Sequence, residues 1–184
     1  MKKIFLTIII VSVLGLAGFY FKNYWLDSTN SIEDFVDARD TKQVNQLFRD
    51  DWFLMICDEN SKTYDIDFML QNRTSSQRAK LNDLVIKVWR ENNEVAGFLA
   101  YYKKSLYRWH LLFLIVNKKY RGQGRSKKLL KFAVDDMVAR GALRVDLATR
   151  SVNKLAQSVY ESFGFKLVHS EGKYYDYAWF KTKA

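Results

Sequence analysis

The chain opens with Lys2 and Lys3 and continues in an uncharged, largely apolar run over residues 4–21. A helix of that length spans about 27 Å, close to the hydrocarbon core of a bilayer. Tyr20, Tyr24 and Trp25 follow as an interfacial aromatic belt, with Lys22 placed to snorkel. The run predicts a single-pass N-terminal membrane helix. Residues 4–16 also have the length of a signal-peptide core, and Gly15-Leu16-Ala17 puts small residues at cleavage-type spacing. The apolar pattern continues past that point through Phe21, which favours retention. Residues 1–26 are therefore read as a transmembrane or signal segment and residues 27–184 as one domain. Lys2, Lys3 and the amino group outnumber Lys22 and Arg39, which favours an inside N-terminus and would export the domain, as would cleavage.

Beyond the run, residues 27–34 read as a polar connector and residues 33–38 as a first short strand. Asp40 reads as the N-cap of a helix to about Trp52, with Val44, Leu47 and Phe48 on one face. Residues 58–82 are polar, with weak helical character near residues 67–70. The pattern then turns to strands: residues 84–90 and 94–103 form a hairpin about Glu91-Asn92-Asn93, and residues 107–116 make a nearly unbroken apolar strand for the middle of a sheet. A helix over residues 125–140 presents Leu130, Val134 and Met137 on one face and ends at Gly141. A strand over residues 143–148, a helix over 153–163 closed by Gly164, and a strand pair at 165–168 and 174–181 complete the chain. Hairpin, strand, helix, strand, helix, hairpin is the order of a layered α/β domain with a mixed sheet.

Composition sharpens this picture. Of 184 residues, 48% are hydrophobic and 16% aromatic, far above a disordered chain, so about 155 residues beyond the leader are expected to pack as one domain. The net charge of +10 calls for anionic partners, and seven of the thirty basic residues fall between Lys118 and Lys131. Most aromatics lie in strand-like runs that need a core, which disfavours a nucleic-acid surface. Cys57 is the only cysteine, which excludes an intramolecular disulfide and a Cys-based zinc site, and no metal is expected.

The concentrated charge surrounds Arg121-Gly122-Gln123-Gly124-Arg125-Ser126, between the apolar strand and its helix. Alternate glycines let successive backbone N–H groups point inward at a helix N-terminus, as a diphosphate requires. No G-K-[ST] follows and the pattern is not G-x-G-x-x-G, so it is neither a P-loop nor a dinucleotide fingerprint. The segment resembles motif A of the GCN5-related N-acetyltransferase (GNAT) superfamily, [Q/R]-x-x-G-x-[G/A], with Arg121, Gly124 and Ser126 on the pattern. Ser126 is a departure, since glycine or alanine is usual there. The run Asn153-x-x-Ala156-x-x-x-Tyr160-x-x-x-Gly164-Phe165 resembles the family's motif B, in the expected order.

The resemblance implies the acyl-CoA N-acyltransferase fold, a mixed and splayed β-sheet flanked by helices. It implies acetyl-CoA as acyl donor, no metal, and direct attack by a primary amine carried on a small molecule or a protein. A cytosolic acyl-CoA supply argues against export of the domain, so the side of the membrane stays open. By the same resemblance, the strand end Leu114-Ile115-Val116 receives the pantetheine arm and supplies oxyanion donors. Arg121, Gly122, Gln123, Gly124, Arg125, Ser126 and Asn153 serve the cofactor, and Tyr160 protonates the leaving thiolate. A general base is harder to find. Ala148 stands where an acid is frequent, leaving Asp146, or His110 on the face of Leu112 and Leu114, as substitutes. That gap motivates a second reading, a membrane-tethered acyl-CoA-binding or regulatory module without catalysis.

Overall fold

The computed structural model describes residues 30–55, 65–70 and 84–182. The N-terminal hydrophobic segment, Cys57 and most of residues 58–82 lie outside the described residues. No helix among the described residues is long and apolar enough to cross a membrane.

Chain order is β1 (Asn30–Asp34), α1 (Asp37–Met55), α2 (Ile66–Met69), β2 (Val85–Glu91), β3 (Glu94–Ser105), β4 (Arg108–Val116), a 3-10 turn (Lys118–Tyr120), α3 (Arg125–Ala139), β5 (Arg144–Arg150), α4 (Lys154–Phe163), β6 (Lys166–His169) and β7 (Tyr174–Phe180). The seven strands form one sheet in the order β1-β2-β3-β4-β5-β7-β6. Among the described strands only the neighbours β4 and β5 pair in parallel. α1 covers one face, where Val44, Leu47 and Phe48 meet Phe98, Ala100 and Ile115. α3 and α4 cover the other, where Leu129, Leu130, Ala133, Met137 and Tyr160 meet Leu99, Leu111, Val145, Leu147 and Tyr177. The mixed α/β sheet flanked by helices matches the expected fold.

Local chemistry accounts for the elements and for their departures from the sequence reading. Residues 30–34 are a strand, not a connector: β1 pairs antiparallel with β2 from Asn30↔Glu91 to Asp34↔Lys87. Ladder hydrogen bonds and the Lys87–Asp34 and Arg90–Glu33 ion pairs override the weak β propensity of its acidic residues. α1 begins three residues before Asp40, because its cap comes from inside the helix. The buried Asp40 carboxylate reaches back to accept the Val36 N–H at 2.9 Å. At the β2–β3 hairpin Asn92 (φ 52°) and Asn93 (φ 64°) both take the left-handed conformation that a tight two-residue turn needs. A Cβ on Gly97 would stand 2.6 Å from Leu129 Cδ1, so that glycine lets α3 seat on β3.

Candidate active site

β4 and β5 pair only from Arg108↔Arg144 to Leu111↔Leu147. Past that point β4 runs on through residues 112–116 and β5 through residues 148–150 without pairing to each other, so the sheet opens at its centre. The opening starts at a bulge. Ala100 of β3 faces Phe113 and Tyr101 faces Leu111, leaving Leu112 as the extra residue in β4. A bulge raises local twist and bends its strand, here away from β5. It also resets the alternation of faces: Leu112 packs with the core under α1 and Leu114 with the core under α3 and α4. His110 therefore does not share a face with Leu114, because a strict period of two has no place for the extra residue.

A cleft of about 320 Å3 occupies the gap. Leu114, Ile115 and Val116 form one wall, and alternate N–H and C=O groups on this edge of β4 have no strand partner among the described residues. Gly122, Gly124 and Ser126 form its mouth. Gly122 (φ 75°) and Gly124 (φ 74°) are both left-handed, a conformation that strains any residue with a Cβ. Gly124 is the N-cap of α3 and offers no side-chain cap, and the first bond in the helix runs from Lys128 N–H to Gly124 C=O at 3.2 Å. The preceding N–H groups of Arg125, Ser126 and Lys127 have no acceptor within the helix, and its dipole end adds positive potential. That arrangement is an anion receptor, and the residues present fit a diphosphate.

The motif side chains are placed less uniformly than their spacing implies. Arg121 donates through Nε to Val116 C=O at 2.9 Å and through Nη2 to the Asp51 carboxylate, tying the loop to α1. Arg125 forms a two-pronged pair with Glu91, at 2.8 and 2.6 Å, and lies over Tyr120. Its charge thus anchors the loop to the β2–β3 hairpin, and what it offers the cleft is its main chain. Gln123 accepts a hydrogen bond from Arg125 and does not line the cleft. Asn153 does line it, while its Oδ1 caps α4 by accepting the Ala156 N–H at 3.2 Å.

Tyr160 stands on the far wall, 8% exposed, its ring packed against Phe165 and Tyr177. Its hydroxyl is protonated at neutral pH, as any tyrosine's is, and burial pushes it up further, to about 12.

The proposed bases lie elsewhere. Asp146 is buried at the paired end of the sheet, outside the cleft, where it accepts from Arg108 and from Arg144 Nε at 2.7 Å. Burial alone would raise its carboxyl, yet the two guanidiniums hold it below the ordinary range, and an acceptor so engaged is a poor base. His110 packs beside Tyr102, also outside the cleft. Sequence reasoning missed Asp51, Leu54 and Met55 of α1, which line the cleft from the other layer. Their only signal was the apolar run at residues 52–55, which extends the helix past its expected end. Among the described residues no group of three His, Cys, Asp or Glu side chains gathers to hold a metal.

The model of the acetyltransferase (GNAT) family matches residues 41–165. The chain belongs to this GNAT family. N-alpha-acetyltransferase 30 of Schizosaccharomyces pombe is 41% identical over 58 residues, 32% of this chain and 39% of that protein. The ribosomal protein bS18-alanine N-acetyltransferase of Haemophilus ducreyi is 35% identical over 65 residues, 35% of this chain and 45% of that protein. The chain thus matches less than half the length of either relative. Among solved structures, the PaiA N-acetyltransferase of Thermoplasma acidophilum, in complex with coenzyme A, aligns with a TM-score of 0.65 at 20% identity, covering 83% of this chain and 99% of that one. The Salmonella typhimurium protein yncA, solved with its cofactor acetyl-CoA, aligns at 0.64 and 18%, covering 83% and 94%. At those identities the likeness is one of fold. As a GNAT protein, the chain has its two motifs at one cleft, the first at the mouth and the second on the far wall.

Proposed function

We propose that this chain transfers an acetyl group from acetyl-CoA to a primary amine by direct attack. The observation that carries the reading is a single cleft holding three groups: the open N–H groups at the N-terminus of α3, the unpaired edge of β4, and the protonated Tyr160. Bound acetyl-CoA supplies an activated thioester. The N–H groups of Arg125, Ser126 and Lys127 hold its diphosphate, helped by the Lys127 charge at the cleft. The edge of β4 at residues 114–116 aligns the pantetheine arm and donates N–H groups to the oxygen that gains charge. Tyr160 gives its proton to the sulfur that leaves. One relative is named an N-alpha-acetyltransferase and the other an acetyltransferase of an alanine in ribosomal protein bS18, which supports a protein or peptide amine as acceptor.

Calorimetry with acetyl-CoA, followed by mass spectrometry of a peptide pool with free N-termini and lysines, tests the reading. Saturable binding and an added acetyl group are expected. Absence of saturable binding would sink it, and binding without transfer would leave the non-catalytic module in its place.

The proposal extends to the N-terminus, with residues 4–21 anchoring one domain, residues 27–184, to a membrane. Protease protection in intact cells tests that arrangement: the domain should resist external protease, since an acyl-CoA supply is cytosolic. Digestion of the domain in intact cells would contradict it.

A further inference from the structure

Two carboxylates stand beside a site built for an anion. Glu91 ends β2 and Glu94 begins β3, on either side of the Asn92-Asn93 turn, and the two pair directly across the hairpin. Like charges directly opposite destabilise a strand pair, and negative charge beside a phosphate receptor weakens its attraction for phosphate. Against both costs stands what the two side chains hold. Glu91 accepts two hydrogen bonds from Arg125, at 2.8 and 2.6 Å, where the glycine loop ends and α3 begins. Glu94 accepts from Lys119 Nζ and from the Tyr120 hydroxyl, each at 2.7 Å and on the same oxygen, where the loop begins. The hairpin thus grips the loop at its entry and at its exit.

The two grips are joined to each other. The Arg125 guanidinium lies over the Tyr120 ring at 5.2 Å and donates to Tyr120 C=O at 3.3 Å. Only 12% of the Arg125 side chain and 13% of the Glu91 side chain are exposed, so this pair is far less screened than a surface bridge. Between the grips lie residues 121–124. Gly122 and Gly124 are both left-handed, and a Cβ at either would meet nothing within 4 Å, so packing does not hold them. Glycine has the widest backbone freedom of any residue, and its conformation here is fixed by what holds its neighbours. Neither Glu91 nor Glu94 lines the cleft. Arg125 stands at a position that the motif pattern leaves free, so its bond to Glu91 is a feature of this chain.

We infer that Glu91 and Glu94 are positioning residues for the diphosphate receptor: through Arg125, Tyr120 and Lys119 they hold the loop with its N–H groups turned to the cleft, without touching the ligand. The inference rests on the acetyl-CoA reading above. Ordering a glycine loop during binding subtracts from affinity, and a loop ordered beforehand avoids that loss. The sign of the effect separates this role from simple proximity. A carboxylate that only stands near a diphosphate repels it, and removing that carboxylate tightens binding. A carboxylate that positions the receptor weakens binding when it is removed.

The test measures Kd by calorimetry for CoA and for dephospho-CoA, which keeps the diphosphate and lacks the 3′-phosphate. The proteins are wild type, Glu91→Gln, Glu94→Gln, Arg125→Gln and the double variant Glu91→Gln/Arg125→Gln. Glu91→Gln should raise both Kd values about fivefold or more, and by the same factor, since the loss lies at the diphosphate. Arg125→Gln should match it, and the double variant should lose no more than either single one, because the pair acts as a unit. Glu94 is half-exposed; Glu94→Gln should raise Kd about twofold or more, and it decides the matter alone if Glu91→Gln does not fold. With acetyl-CoA and the peptide pool, KM for acetyl-CoA should rise by the same factors while kcat stays within about twofold of wild type. A general loss of structure would not give that split, and kcat falling as far as KM rises would overturn the inference. Unchanged or tighter binding in the glutamate variants would overturn it too. So would tighter binding in Glu91→Gln beside weaker binding in Arg125→Gln, which would make Arg125 a phosphate ligand that Glu91 holds off. In each of those cases the acetyltransferase reading stands, whereas wild-type protein without saturable CoA binding overturns both.

Discussion

Tyr160 combines two properties that rarely coincide: its ring is part of the core, and its hydroxyl reaches the cleft wall. The phenol is protonated at neutral pH at any ordinary tyrosine value, and the burial that fixes the ring raises it further, to about 12. Tyr160→Phe keeps the ring contacts with Phe165 and Tyr177 and removes only the proton. It should leave acetyl-CoA affinity within about twofold and lower kcat by about 10²- to 10⁴-fold. Calorimetry and single-turnover transfer measure the two quantities, and an unchanged kcat would reduce Tyr160 to a packing residue. Tyr160, Gly124 and Asn153 were legible in the sequence because each acts through its own element, by helical spacing, a left-handed turn or a cap. The arginines were not. Arg125 meets Glu91 from 34 positions away and Arg121 meets Asp51 from 70, and no local pattern announces which acid will cross the fold to neutralise a motif cation.

Elements were legible wherever their signal is local, as in the strict faces of α3 and α4 and the Asn92-Asn93 turn. They were misread where a distant group sets the boundary. α1 begins early because Asp40 caps it from within, and Asp40 can be buried there only because Arg39 and Arg90 both bond it, each to Oδ1 at 2.9 and 2.7 Å. Burial raises the Asp40 carboxyl, but the bonds from Arg39 and the Val36 N–H, with the Arg39 and Arg90 charges, outweigh it and leave the group below its ordinary value of 3.8. A carboxyl depressed in the folded state stabilises fully above its unfolded value and ceases to do so as pH falls through the folded one. Asp40→Asn should therefore cost about 2 kcal/mol at neutral pH, and the gap to wild type should close below about pH 4. Urea melts across that range measure it, and a gap independent of pH would show that Asp40 acts by shape alone. The bulge at Leu112 was illegible for a related reason: an apolar run shows that β4 is buried on both faces but carries no mark of an extra residue.

At the scale of the whole molecule, the cleft belongs to no single element. Asp51 and Met55 come from the layer on one face, Tyr160 and Ala156 from the layer on the other, and Leu114 from the sheet between them. A ligand filling the fork touches all three layers at once and is bound by the folded state alone, since the unfolded chain has neither a helix N-terminus nor a β4 edge to offer. Acetyl-CoA at about a hundred times its Kd should then add about 2.7 kcal/mol of stability, which for a domain of this size raises Tm by about 5–10 °C. The same total concentration of a nucleic acid should not reproduce the shift, because four of the cations in and beside the loop are paired, Lys119 with Glu94, Arg121 with Asp51, Arg125 with Glu91 and Lys131 with Asp135, and Lys127 stands at the cleft itself. Differential scanning calorimetry with each ligand decides between them. If nucleic acid raises Tm as far as acetyl-CoA does, and salt removes the shift, the basic loop serves a polyanion and the cleft is incidental to it.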